Sequence, residues 1–103
     1  RHLERLGMSV LDRNWRCREG EIDIVALDEG VLVICEVKTR SSDSFGIPAA
    51  AVTAVKIRRL RRLAVAWLRE NPVRHHGIRF DVIAILAPAG SRSVIEHLRG
   101  VGG

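Results

Sequence analysis

Apolar and polar positions change their period several times along the chain, and each change marks a predicted element. Val10–Trp15, Glu21–Leu27 and Val31–Lys38 alternate in polarity or are rich in β-branched residues, which predicts three strands. Two later segments, Arg79–Leu86 and Ser93–Leu98, predict two further strands. The pattern therefore predicts a sheet of about five strands.

Helical periodicity occurs in two places. Residues 1–6 fit the end of a helix that Gly7 closes, and a long helix is predicted over Ala49–Glu70, with Asn71-Pro72 as its stop. One face of the long helix is apolar and is expected to pack in the core; its residues are Ile57, Leu60, Ala64, Trp67 and Leu68.

The order of the elements predicts the fold class. Short turns join the first three strands, so these strands should run antiparallel, whereas the long helix is a crossover that should make Val31–Lys38 and Arg79–Leu86 parallel neighbours. The expectation is an α/β fold with a mixed, mainly antiparallel sheet flanked by helices. A chain of 103 residues is enough for one domain, residues 1–103, with a frayed tail at 100–103.

Carboxylates gather on the predicted hairpin between the second and third strands. If Glu29-Gly30 is a two-residue turn, the numbers of directly paired residues sum to 59. Asp23 then lies opposite Glu36, and Glu21 lies opposite Lys38. Two facing carboxylates repel each other, so the pattern indicates either a divalent-cation site or a solvated sheet edge with weak surface ion pairs. Mg²⁺ suits the first alternative because it takes one or two carboxylates and accepts phosphate oxygens.

Charge and composition narrow the class of partner. Lys and Arg total 17 against 12 Asp and Glu, a net charge of +5 that favours a polyanion such as nucleic acid. The aromatic residues are widely spaced, which favours contacts with phosphates over base stacking. No apolar run is long enough for a membrane helix, so no membrane partner is expected. Two cysteines without zinc-site spacing predict a reducing, cytoplasmic setting, with Cys35 in the core.

Basic residues form three candidate phosphate-contacting groups. Arg40 and Ser41 follow Lys38 directly, and Arg16 and Arg18 precede the carboxylate hairpin. The third group is on the long helix and comprises Lys56, Arg58, Arg59, Arg61 and Arg62. Two interpretations of this group remain open, a solvated basic face and a ridge that follows the phosphates of a nucleic acid.

Two groups near the end of the chain have ordinary interpretations. Asp81 shares a strand face with Arg79, which indicates an ion pair or an outer-shell role at a metal site. His97 is expected to be a strand-end residue rather than a catalyst.

Longer blocks of sequence carry a resemblance. Asp23, followed thirteen residues later by Glu36-Val37-Lys38, resembles the D…(D/E)xK signature of restriction-endonuclease-like nucleases, including archaeal Holliday-junction resolvases. The wider text closely resembles the YraN-like family of small bacterial proteins, through the blocks Asn14–Arg18, Gly20–Ile24, Glu36–Ser42, Phe45-Gly46 and Arg79–Val82.

The resemblance implies a resolvase-like core and specific roles at the hairpin. Asp23 and Glu36 would be metal ligands, Lys38 the catalytic lysine and Mg²⁺ or Mn²⁺ the cofactor, with Glu21 as an outer-shell candidate. Members of the family carry a Gly-Glu pair early in the first helix, which is expected to lie before Arg1, so that the first part of this helix is missing here.

Three functions follow from these observations. The first is a Mg²⁺-dependent endonuclease acting on DNA, with branched or structured DNA as a candidate substrate and a homodimer as the assembly implied by the resolvases. The second is a nucleic-acid-binding module that is catalytically inactive or depends on a partner for catalysis. The third is a scaffold for a protein complex.

Overall fold

A computed structural model describes residues 1–40, 53–86, 92 and 94–101 of the chain. Within these ranges five strands form one sheet in the order β1-β2-β3-β4-β5. The strands are β1 (Ser9–Cys17), β2 (Gly20–Asp28), β3 (Val31–Arg40), β4 (Gly77–Leu86) and β5 (Val94–Leu98). Helix α1 (His2–Arg5) precedes β1, and helix α2 (Ala54–Glu70) lies between β3 and β4 in the sequence. The predicted mixed α/β fold is confirmed.

The β2–β3 hairpin has the predicted register. Glu29 and Gly30 have φ of +49° and +85°, the two left-handed residues that a type I′ turn requires. Paired residues run from Asp28↔Val31 to Ile24↔Cys35, and the numbers in each pair sum to 59. The turn is also held from outside, because the His76 N–H donates to the Gly30 carbonyl at 2.9 Å.

Strand directions also follow the prediction. β3 and β4 run parallel, from Val31↔Gly77 to Arg40↔Leu86. The pairs β1–β2, β2–β3 and β4–β5 are antiparallel. The sheet is therefore mixed and mainly antiparallel.

Helix α2 begins later than predicted. Thr53 is extended, with φ −98° and ψ 160°, and its Oγ1 accepts a hydrogen bond from the Lys56 N–H at 3.1 Å. Thr53 is thus an N-cap, and the prediction of one continuous helix from Ala49 is corrected. Residues 49–52 lie outside the described ranges. The predicted end at Glu70 is confirmed.

Both faces of the sheet carry buried apolar side chains. On one face, the residues predicted from the period of α2 pack against the sheet around Ile34, with Leu63 added to the predicted set and Leu68 only partly buried. The Trp67 Nε1–H donates to Asp12 Oδ2 at 2.8 Å, which fixes α2 over β1. On the other face, Leu3 of α1 and Met8, which follows α1, cover the sheet. Neither helix in the described ranges has the length and apolar character needed to cross a membrane.

After β5, Gly100 and Val101 are held against the sheet, whereas residues 102 and 103 of the predicted frayed tail lie outside the described ranges. The Gly100 N–H donates to Asp81 Oδ1 at 3.1 Å, and the Val101 N–H donates to the Phe80 carbonyl at 2.8 Å. The Val101 side chain packs against the core. Glycine-rich composition favours fraying, but the partners come from β4, which local sequence does not reveal.

Candidate metal and nucleic-acid site

A pocket of about 130 Å³ lies between the sheet and the N-terminal half of α2. Its wall contains the predicted metal ligands, Asp23 on β2 and Glu36 on β3, together with Glu21. The other lining residues are Ile22, Cys35, Lys56, Arg59, Leu60 and Leu63. The structure therefore brings the three predicted carboxylates to one pocket and places two basic side chains of α2 beside them. We call it the carboxylate pocket.

Strand β2 separates from β3 at Asp23. The paired ladder ends at Ile24↔Cys35, so Asp23 and Glu36 lie just beyond it and are not the directly paired residues that the turn arithmetic predicts. The Asp23 carboxylate itself continues the contact, because the Val37 N–H donates to Asp23 Oδ2 at 2.8 Å. This hydrogen bond replaces a backbone-to-backbone bond and holds the carboxylate against β3.

Glu21 and Lys38 also lie beyond the end of the ladder. Glu21 pairs in register with Arg16 of β1, and Arg16 Nε lies 3.4 Å from Glu21 Oε2. Both side chains are largely exposed, so this ion pair contributes little to stability. Lys38 is in register with Ala84 of β4 and is not among the described residues that line the carboxylate pocket.

Glu36 makes the closest charged contact in the pocket. Its Oε2 atom lies 2.8 Å from Lys56 Nζ, and about a quarter of each side chain is exposed, 26% for Glu36 and 27% for Lys56. Oε2 itself is sealed from solvent, and among the described residues no donor is aligned with it well enough for a hydrogen bond. The Lys56 ammonium therefore supplies the counter-charge of a carboxylate oxygen that is sealed from solvent.

The donor set fits a hard divalent cation. Among the described residues, no group of three or more His, Cys, Asp or Glu side chains is arranged to hold a metal ion. Asp23 and Glu36 line one pocket, and two carboxylates would suit Mg²⁺ or Mn²⁺ that retains waters and accepts phosphate oxygens. Cys35 is an unsuitable ligand, because burial, followed by the nearby Asp81 charge, raises the pKa of its thiol to about 12.

A basic groove adjoins the carboxylate pocket. It shares Glu21 and Arg59 with the pocket, has a volume of about 430 Å³ and is also lined by Arg16, Arg18 and Glu19. Gly20, at φ +147°, allows a close approach here, because a Cβ atom at this position would lie 3.0 Å from Arg59 Nη2. Three of the predicted phosphate-contacting residues thus lie next to the carboxylates.

The outer face of α2 forms a second shallow groove of about 490 Å³, which includes Arg58, Arg61 and Arg62 and shares Glu19 with the basic groove. Arg62 Nε lies 3.4 Å from Glu19 Oε2, and the Arg61 guanidinium lies 5.7 Å from the centre of the Phe80 ring. None of these three arginines lines the carboxylate pocket. Both interpretations of this face, solvated surface and phosphate ridge, therefore stay open.

Two predicted phosphate contacts lie at the limit of the structure. Arg40 is the last residue of β3, and Ser41 lies outside the described ranges. Their roles stay predictions.

Comparison with known sequences places the chain in a family. The model of "Uncharacterised protein family UPF0102" matches residues 1–85, which include the whole carboxylate pocket. The chain belongs to the UPF0102 family. A UPF0102 protein of Nocardioides sp. is 52% identical over 99% of this chain and 82% of its own length. One from Arthrobacter sp. is 54% identical over 98% of this chain and 86% of its own length. The resemblance to the YraN-like family is confirmed.

A second polar cluster in this UPF0102 protein lies on the opposite side of the sheet and was not predicted as a unit. Asp81 is fully buried and accepts hydrogen bonds from Arg79 Nε at 3.0 Å, Arg79 Nη2 at 3.1 Å and His97 Nε2 at 2.8 Å. Burial alone would raise the Asp81 pKa, but these bonds and the Gly100 N–H outweigh it and lower the pKa. The predicted Arg79–Asp81 ion pair is confirmed.

The cluster extends to both ends of the chain. Arg79 Nη1 lies 3.0 Å from Asp28 Oδ2, and His97 Nδ1 lies 3.1 Å from His2 Nε2. Phe80 packs in the hydrophobic core under α2. Strand alternation therefore places Asp81 on the other face of the sheet, away from the carboxylate pocket. His97 therefore does more than end a strand, because it links Asp81 to α1. The usable sequence signal was a charged pair alternating inside the apolar strand β4.

This histidine link predicts a loss of stability at acid pH. His97 Nε2 donates to Asp81, so in neutral His97 the Nδ1 atom accepts a hydrogen bond from His2. Burial, followed by electrostatic interaction with His97 and Arg99, lowers the His2 pKa. The folded state thus binds a proton less readily than the unfolded state. Stability from His2 is fully present above the unfolded pKa of 6.5 and is lost as pH falls through the lower folded value.

The measurement is the free energy of unfolding at intervals between pH 8 and pH 5, for the unchanged protein and for His2→Gln. We expect His2→Gln to flatten the acid side of the profile. Arg69→Gln, an exposed change on α2 that does not titrate in this range, serves as the control and should leave the slope unchanged. A wild-type slope in His2→Gln would show that this contact does not couple protonation to folding.

Proposed function

We propose that this protein is a Mg²⁺-dependent endonuclease that hydrolyses phosphodiester bonds in DNA. The observation that carries the proposal is the carboxylate pocket, in which Asp23 and Glu36 lie beside the basic groove of Arg16, Arg18 and Arg59. The juxtaposition suits a phosphodiester, whose anionic oxygens need both a cation and basic side chains.

Each residue has a defined role in this proposal. Asp23 and Glu36 would hold the divalent cation, and the Asp23 carboxylate is already fixed by the Val37 N–H. When bound, Mg²⁺ supplies Lewis-acid polarisation of the phosphoryl group and a more acidic water. Lys38 does not line the pocket but shares a strand face with Glu36, and from there it would orient the attacking water or offset the negative charge that develops on the phosphate. Arg16, Arg18 and Arg59 would position the DNA backbone.

Binding of nucleic acid without catalysis is the second candidate. Two observations favour it. The Lys56 ammonium already contacts Glu36, and the described residues contain no group of three or more side chains that could hold a metal ion. In that case the carboxylates serve structure and the basic groove alone would bind phosphates. A scaffold function remains the third proposal.

The test is cleavage of labelled duplex, four-way-junction and flap DNA by the complete protein, including any residues that precede Arg1. We expect cleavage with Mg²⁺ or Mn²⁺, none with a chelator, and none from an identically purified Asp23→Asn protein. Cleavage that persists in Asp23→Asn or with the chelator would contradict the proposal.

The binding-module alternative gives a different result in the same preparation. It predicts no cleavage but measurable DNA binding that weakens steeply with salt, and Arg59→Gln should reduce the salt slope by about one. Negligible binding at low salt would exclude both functions and leave the scaffold.

Assembly and location complete the proposal. We propose a homodimer, by the resemblance to junction resolvases, which sedimentation equilibrium would test. Cys17 and Cys35 are both free thiols, which suits a reducing compartment, and we propose the cytoplasm.

A further inference from the structure

Lys56 lines the carboxylate pocket, where its ammonium contacts one of the carboxylates. Its ammonium lies 2.8 Å from Glu36 Oε2, an atom that is sealed from solvent and has no aligned hydrogen-bond donor in the described part of the chain. The backbone of Lys56 is fixed independently, because its N–H is bonded to the Thr53 cap at 3.1 Å. The side chain can therefore leave Glu36 without any change in α2.

The electrostatics of the pocket require a cation close to Glu36. Asp23 and Glu21 line the same pocket, so a Glu36 charge without a counter-charge would be repelled by its neighbours. Lys56 supplies that counter-charge in the present state. A Mg²⁺ ion needs carboxylate oxygens at about 2.0–2.1 Å in an ordered octahedral shell, and an adjacent ammonium would repel it. Lys56 and a divalent ion thus compete for Glu36.

We propose that Lys56 is a resident counter-cation of the carboxylate pocket and that a divalent cation displaces its ammonium from Glu36. The inference rests on the metal site of the proposed function and adds its regulation. Lys56 neutralises the Glu36 charge when no metal is bound, at the expense of metal affinity. Once displaced, its ammonium becomes available to a phosphate in the pocket, which Arg59 also lines.

The first experiment measures the affinity for Mn²⁺ alone by calorimetric titration of the complete protein. Lys56→Gln removes the competing charge, and we expect it to bind Mn²⁺ roughly tenfold more tightly than the unchanged protein. Lys56→Arg retains the charge and should stay within about twofold of wild type. Arg69→Gln removes one charge from the far end of α2 and should have no effect. An unchanged or weaker affinity in Lys56→Gln would overturn the proposal.

A second experiment needs no destabilising variant. The sequence contains two lysines, Lys38 and Lys56, so selective ¹³C-lysine labelling gives two ε-methylene signals, which Lys56→Arg assigns. We expect Mg²⁺ to move the Lys56 signal toward that of a free, mobile lysine. A Lys56 signal that stays unchanged while Mg²⁺ saturates the protein would show that the ammonium is not displaced.

The outcomes separate this inference from the proposed nuclease function. Tighter Mn²⁺ binding by Lys56→Gln without DNA cleavage by any form would support the exchange and contradict the nuclease. DNA cleavage by wild type, together with equal Mn²⁺ affinity in wild type and Lys56→Gln, would support the nuclease function and overturn the displacement of Lys56. Absence of Mn²⁺ binding by every form would overturn the exchange directly.

Discussion

Replacing Glu36 by Gln, or Asp23 by Asn, is expected to lower the rate of Mg²⁺-dependent DNA cleavage by at least about 10³-fold. Each substitution preserves the shape of the side chain but removes the negative charge on which cation binding depends. A bound divalent cation is worth several kcal/mol of transition-state stabilisation, and each 1.36 kcal/mol corresponds to about tenfold in rate. Lys38→Met should cause a comparable loss while leaving Mn²⁺ affinity near that of wild type.

Single-turnover cleavage with protein in excess is the appropriate measurement, because it reports the chemical step rather than product release. Glu70→Gln, an exposed change at the end of α2, is the matched control and should cleave at the wild-type rate. A thermal unfolding curve for each variant excludes loss of fold as the cause. Wild-type rates in all three site variants would place the activity elsewhere and contradict the proposed site.

The hairpin could be predicted closely because its geometry is determined locally. A two-residue turn at Glu29-Gly30 fixes which residues face each other, and the observed pairs follow that arithmetic as far as Ile24↔Cys35. The arithmetic fails one pair later, at Asp23. There a side-chain hydrogen bond to the Val37 N–H takes the place of the ladder, and turn geometry contains no information about that bond.

The contact between Lys56 and Glu36 could not be predicted in the same way. Helical periodicity identifies the buried face of α2, and Lys56 stands next to Ile57 at its border. Helical periodicity does not give the rotation and position of the helix over the sheet. The 2.8 Å contact between Lys56 Nζ and Glu36 Oε2 depends on both. The start of α2, in contrast, could have been predicted from local sequence. The Thr53 cap is a local signal that sequence reasoning could have used, in place of an alanine-rich start at Ala49.

The cluster around Asp81 depends on segments far apart in sequence. Arg79 and Asp81 share a strand face, so their ion pair was accessible to period-two reasoning. His2 and His97 lie 95 positions apart and meet only because the ends of the chain pack on the same face of the sheet. Patterns within a single segment do not contain that information, which is why the whole cluster was missed.

Asp81→Asn is expected to lower the free energy of unfolding by about 3–5 kcal/mol, the usual cost of removing one partner from a buried ion pair. The carboxylate is fully buried and both of its oxygens accept hydrogen bonds. An asparagine offers one oxygen and one NH₂ group in the same space. Its NH₂ group would face either Arg79 and Gly100 or Arg79 and His97, so donors would oppose donors.

Denaturant unfolding of Asp81→Asn at pH 7 measures this cost, and Asp28→Asn is the matched control. Asp28 contacts the same guanidinium but is 20% exposed, so its loss should cost about 1 kcal/mol or less. Because the Asp81 pKa is lowered in the folded state, its stabilisation is present above pH 3.8 and is lost as pH falls through the folded value. The difference between wild type and Asp81→Asn should therefore shrink in strong acid. Equal losses for the two substitutions at pH 7 would mean that burial of Asp81 does not set the strength of the cluster.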